Sequence, residues 1–119
     1  MRAVLLIAVA ALIAACETPS GRSVRTWIEA RDARGETVAG AEVSVDGRPL
    51  GITDHRGMFR VKVRRHIGTD VGVAVVDEEP AQWWSGAFTV GTNGGIAGGG
   101  DRLVVVLLAG KPPAAAVIP

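Results

Sequence analysis

A single cysteine, Cys16, in 119 residues excludes an intrachain disulfide and any zinc site built on several thiolates, so the fold of this chain rests on its apolar core. Charge of one sign is also lacking. Thirteen Lys and Arg face 12 Asp and Glu, and losing Arg2 with a cleaved leader leaves 12 against 12, which argues against a nucleic-acid partner. Aromatics are few, with no Tyr, two Phe and three Trp, and most apolar residues are β-branched or small. The longest apolar run, from Ala3 to Ala15, is short of the roughly 20 residues that cross a hydrocarbon core about 30 Å thick. No window carries a convincing helical stripe.

What is present begins with that run. Met1-Arg2 followed by 13 apolar residues has the layout of a cleaved export signal, helical while it lasts. Its end, Leu12-Ile13-Ala14-Ala15-Cys16, resembles the lipobox of bacterial lipoproteins: a branched apolar residue, two small ones, then the acylated cysteine. The resemblance implies cleavage after Ala15 and a covalent lipid on Cys16, with no other cofactor. Such a protein is anchored to a membrane of the bacterial cell envelope. Glu17 stands where an Asp, in enterobacterial lipoproteins, favours retention in the inner membrane, so the resemblance tilts toward the outer membrane, facing the periplasm. The other reading is an ordinary secretory signal with an incidental cysteine. Removing 15 of 119 residues leaves 104, enough for one small domain.

The chain then divides into a polar tether over residues 16–23, a domain over 24–109 and a flexible tail over 110–119 with three prolines. Val24 to Asp32 alternates, with Thr26, Ile28 and Ala30 on one face and Arg25, Trp27, Glu29 and Arg31 on a wet one. Ala41, Val43 and Val45 alternate with Glu42 and Ser44, and Asp46 to Pro49 turns the chain into a short strand over Leu50 to Thr53. Phe59, Val61 and Val63 alternate with cations. Val71 to Val76 is apolar enough for the centre of a sheet, Gln82 to Val90 is a strand, Gly91 to Gly100 a mobile hairpin loop, and Leu103 to Leu108 the last strand. About seven short strands predict an all-β fold, a small antiparallel Greek-key sandwich.

Three elements in order, Asp32-Ala33-Arg34-Gly35, Val38-Ala39-Gly40-Ala41-Glu42-Val43-Ser44-Val45 and Thr53-Asp54-His55-Arg56-Gly57-Met58-Phe59, resemble the start of a carboxypeptidase regulatory-like domain, a transthyretin-like sandwich. Asp and Gly bracket tight turns, Ala41 is small where the sheets close, and Phe59 fills the core. The resemblance covers about 40 residues. It implies an accessory, binding or stalk module rather than a catalyst, and names no ligand.

Candidate chemistry is sparse. Asp54 and His55 invite an acid-base reading, but Asp54-x-x-Gly57 is accounted for by a turn in which Asp caps its own backbone. His66 is the only other histidine, and neither HxxxH nor HxH spacing occurs, so no metal site and no catalytic residue is expected. Trp83 and Trp84 are adjacent in a strand, so one points outward; with the wet-face Trp27 it would offer a platform for a sugar ring, unless it covers a sheet edge. Arg60, Lys62, Arg64 and Arg65 form a basic stripe that keeps a face soluble or meets anionic lipid or envelope glycan. The expectation is a membrane-anchored envelope lipoprotein, not an enzyme, presenting a structural or protein-binding module. The alternative is a carbohydrate- or peptidoglycan-binding protein using its tryptophans.

Overall fold

Alternating small and β-branched residues fold into strands close to the positions that the sequence predicts. The structure, a computed structural model, describes residues 21–113; the expected leader and its helix, Cys16, most of the tether and residues 114–119 of the tail lie outside the described residues. Eight strands follow in order: β1 (Arg22–Arg31), β2 (Glu42–Val45), β3 (Arg48–Ile52), β4 (Met58–Arg65), β5 (Asp70–Glu78), β6 (Ala81–Thr89), β7 (Arg102–Val106) and β8 (Leu108–Ala109). No helix occurs among the described residues. They form a sheet of three strands, ordered β4-β1-β7, and one of five, ordered β3-β2-β5-β6-β8, with the core between them.

The fold is the expected all-β sandwich, with one departure from an antiparallel arrangement: β7 runs parallel to β1, from Trp27 opposite Arg102 to Arg31 opposite Val106. The cause lies in Leu103 to Leu108, which the sequence presents as one strand. The chain pairs with β1 as far as Val106, buries Leu107, and joins the other sheet as β8, where Leu108 pairs with Trp83. One apolar run thus serves both sheets. The glycine stretch before it is a crossover between sheets rather than a hairpin loop. Its backbone lies against β1, where Arg25 N–H donates to Gly94 O at 2.9 Å and Trp27 N–H to Asp101 O at 2.6 Å. Gly94 has φ +84°, and a Cβ there would stand 2.7 Å from Ser23 O, so glycine is required twice over.

The start of β1 also differs. Arg22 and Ser23, expected in the tether, pair with Arg65 and Arg64 of β4. Between β2 and β3 the turn narrows to Asp46-Gly47, with φ of 49° and 80°, the two positive values of a type I′ hairpin. The apolar run Val71 to Val76 does become the central strand β5.

Val24, Ile28 and Ala30 of β1 meet Val43, Val45, Val71, Val73, Val75 and Phe88 of the larger sheet, with Val61, Val105 and Leu107 completing the core. Each fully buried Val, Ile or Leu contributes about 1.5–3 kcal/mol of transfer free energy. Phe59, expected to fill this core, is half-buried at its margin with its ring packed over Gly51, where a Cβ would stand 2.7 Å from Cε1. The polar member of the motif around it is Thr53, which is buried. Its hydroxyl donates to Val38 O at 2.7 Å and accepts from Ala41 N–H at 3.0 Å, fastening the approach to β2 onto the end of β3.

Candidate functional site: the outer face of the three-stranded sheet

Because successive residues of a strand point to opposite sides, burying Val24, Thr26, Ile28 and Ala30 turns Arg25, Trp27, Glu29 and Arg31 outward. The register carries that face across the sheet. Arg25 stands opposite Lys62, Trp27 opposite Arg60 and Arg102, Glu29 opposite Met58 and Val104, and Arg31 opposite Val106, while Arg64 stands opposite Ser23. From the Ser23 row to the Arg31 row the face is about 27 Å long at ~3.3 Å per residue. It holds six cations, Arg25, Arg31, Arg60, Lys62, Arg64 and Arg102, and one carboxylate, Glu29.

Glu29 departs from its expected wet position. Its side chain is only 8% exposed, because Arg31 Nε and Arg102 Nη1 (3.1 Å) close over its two oxygens and join β1 to β7. A nearly buried carboxylate is tolerated because both oxygens accept charge-assisted hydrogen bonds. Arg60 lies over the Trp27 ring, its guanidinium carbon 5.3 Å from the ring centroid, a cation–π geometry that orders both side chains. None of Arg25, Arg60, Lys62 and Arg64 has a carboxylate within ion-pair distance among the described residues. Four unneutralised positive charges therefore fill three successive rows, the last of which holds Trp27.

Of the basic stripe read from the sequence, Arg60, Lys62 and Arg64 lie together on this face and Arg65 does not. Alternation turns Arg65 the other way, where Nε and Nη2 donate to Asp46 Oδ2 at 3.2 and 2.9 Å. Asp46 Oδ1 also accepts from Gly72 N–H at 2.9 Å. Partial burial pushes the Asp46 carboxyl up, but the Arg65 hydrogen bond, the Gly72 N–H and the Arg65 charge together hold it below its ordinary value. Arg25, Arg31 and Arg102 join the stripe only through pairing. The period-two pattern of β1 was a usable signal for the first two, whereas Arg102 arrives from across the chain.

The three tryptophans occupy three different places. Trp27 is on the outer face of the smaller sheet. Trp84 packs inward against the core, opposite Val75 and with its ring over Gly86. Trp83 is half-buried on the outer face of the larger sheet, beside Val76 and Leu108. A platform joining Trp27 to Trp83 or Trp84 is not assembled, because the sandwich separates them.

Asp54 occupies the turn role expected of it. Its Oδ1 accepts from Arg56 N–H at 2.8 Å and Met58 N–H at 3.0 Å, and the Met58 and Arg56 amides hold its carboxyl below the ordinary value. Asp32 repeats the arrangement, accepting from Arg34 N–H at 2.9 Å and Glu36 N–H at 3.0 Å. His55 and His66 are exposed in turns at opposite ends of β4. Among the described residues no group of three or more His, Cys, Asp or Glu is placed to hold a metal ion. A cleft of about 720 Å³ lies on the larger sheet, lined by Glu42, Ile52, Val76, Glu78, Lys111 and Pro112 among others.

No family model matches this chain, and comparison with curated proteins and with solved structures finds no match either.

Proposed function

We propose that this chain is a lipid-anchored protein of the bacterial cell envelope whose sandwich serves as a non-catalytic structural or protein-binding module. The observation that carries the reading is the apolar run Ala3 to Ala15 closed by Leu12-Ile13-Ala14-Ala15-Cys16, with β1 beginning at Arg22, six positions after the cysteine. A diacyl or triacyl group on Cys16 supplies more than one chain, which is what stable anchoring requires. The two Asp-x-x-Gly turns and the Thr53 fastening support a carboxypeptidase regulatory-like sandwich, since Asp32 and Asp54 of that motif each hold a turn and Thr53 ties the approach to β2 to the end of β3. The destination proposed is the outer membrane, facing the periplasm.

The test is mass spectrometry and membrane fractionation of the expressed chain beside its Cys16→Ser variant. The wild type is expected in the membrane fraction with its N-terminal peptide carrying added lipid mass, and the variant without that mass and released. A wild-type chain that is unlipidated at Cys16 would overturn the reading.

A further inference from the structure

The two sheets divide the charge of the domain. The strands of the smaller sheet carry eight Lys and Arg and one Glu, whereas those of the larger carry one Arg, Arg48, and four acids, Glu42, Asp70, Asp77 and Glu78. A chain close to neutral overall is therefore polarised, positive on one broad face. Such a field orients a protein over a charged surface even when net charge gives no attraction.

We propose that the outer face of the β4-β1-β7 sheet lies on an anionic phospholipid surface, with Arg25, Arg60, Lys62 and Arg64 meeting headgroup phosphates and Trp27 at the polar–apolar boundary. Three observations agree. The four cations lack carboxylate partners and are free to pair with phosphate. Trp27 shares the innermost of their three rows with Arg60 and is the residue type that favours the interface between water and hydrocarbon. Val104 and Val106, 50% and 49% exposed, extend the same face at its far end and supply apolar contact.

The length of chain leading into the sheet selects lipid as the occupant. From Cys16 to Arg22 the chain reaches at most about 20 Å, and β1 enters the sheet beside Arg64 and Arg65. A domain held so closely has the basic end of this face next to the bilayer, within a few Debye lengths of about 8–10 Å. This orientation rests on the lipid-anchor reading for the nearness of the membrane, while the polarity of the face stands apart from it.

Two lysines make the test direct. Lys62 lies on the basic face, Lys111 beside the cleft on the larger sheet, and the chain has no other. The full chain, as isolated from membranes and with its lipid mass recorded, is placed in vesicles of phosphatidylcholine with and without phosphatidylglycerol. Acylation of each lysine by an amine-reactive reagent is then timed by mass spectrometry. Lys62 is expected to react at least fivefold more slowly in the anionic vesicles, Lys111 at an unchanged rate, and high salt to erase the difference. Each basic residue near an anionic surface changes partitioning by about fivefold. The Arg25→Glu/Arg60→Glu/Arg64→Glu variant, altered only at exposed positions, is expected to lose the protection of Lys62. Equal rates for Lys62 in both vesicles, or equal slowing of both lysines, would overturn the proposal whether or not lipid mass is found on Cys16. Protection by a soluble anionic polysaccharide and not by the anionic vesicles would overturn it as well, and assign the face to a glycan. Absence of lipid mass with Lys62 still selectively protected would instead remove the anchor and keep the face.

Discussion

The two sheets of this sandwich are built from the same small aliphatic vocabulary, yet their outer faces have little in common. Across the smaller sheet, cations recur at every second residue of β4 from Arg60 to Arg64 and are joined by Arg25 and Arg31 of β1 and Arg102 of β7. On the larger one a single row crosses all five strands, Ile52, Glu42, Val76, Trp83 and Leu108, apolar but for one carboxylate. The inner faces are nearly interchangeable, because both must exclude water; the outer faces are free to differ, so function is expected to separate there. A core residue reports on how firmly the halves are joined, and a surface charge on what each half meets.

The largest effect is expected at the joint. Leu107 is 1% exposed and lies between β7 of one sheet and β8 of the other, with its N–H donating to Arg31 O at 2.8 Å. Leu107→Ala is expected to destabilise the domain by about 3 kcal/mol, from lost transfer energy and the cavity left behind. Urea unfolding followed by tryptophan fluorescence and by circular dichroism should show one coincident, shifted transition. If the two probes separated, the domain would not unfold as one cooperative unit.

A smaller effect of opposite sign is expected at Thr26, also on the inner face of the smaller sheet. Its Oγ1 is the one buried side-chain polar atom without a hydrogen-bond partner among the described residues, in contrast to the doubly engaged Thr53. Thr26→Val keeps the shape and removes the unsatisfied hydroxyl, so stability is expected to rise by about 1 kcal/mol. A loss on thermal unfolding would mean that the hydroxyl is satisfied in solution.

The smallest effect concerns the ion pair joining the faces at one end, between Arg65 of β4 and Asp46 in the β2–β3 turn. The Asp46 carboxyl is held below its ordinary value of 3.8, so its contribution is complete above that pH and is lost as pH falls through the lower folded value. Both side chains are about a third or more exposed, at 33% and 42%, which keeps the contribution below about 1 kcal/mol. The difference in melting temperature between wild type and Asp46→Asn is expected to be greatest near neutral pH and to shrink below about pH 4. A difference independent of pH would assign the turn's stability to backbone geometry alone.

Much of this was legible in the residues. The alternation in Thr26-Trp27-Ile28-Glu29-Ala30 marks which side of β1 is buried, and Asp54 with Gly57 marks a turn whose amide hydrogen bonds follow from the chemistry of Asp. The candidate face was legible only in part. Arg60, Lys62 and Arg64 share one strand, so their common orientation follows from a period of two. Arg102 lies about 40 residues away, and its place beside Trp27 depends on a parallel pairing that local pattern does not encode. The same limit applies to the tryptophans: adjacency in Trp83-Trp84 forces opposite faces, but which of them is buried depends on which side of β6 meets the other sheet.

By itself the sequence determined the local quantities: the strands, their buried faces, the Asp-Gly turns, the all-β class, and the signal-like run ending at Cys16 on which the anchoring proposal rests. Each depends on residues within a few positions of one another, where backbone geometry and side-chain period act directly. Only the tertiary structure decided that Leu103 to Leu108 is shared between two sheets, that Arg65 turns away to Asp46, that Glu29 is enclosed by two arginines, and that positive charge gathers on one side of a nearly neutral chain. Those outcomes depend on register and sheet order. Both are settled by closing a common core, in which residues distant in sequence pack at once.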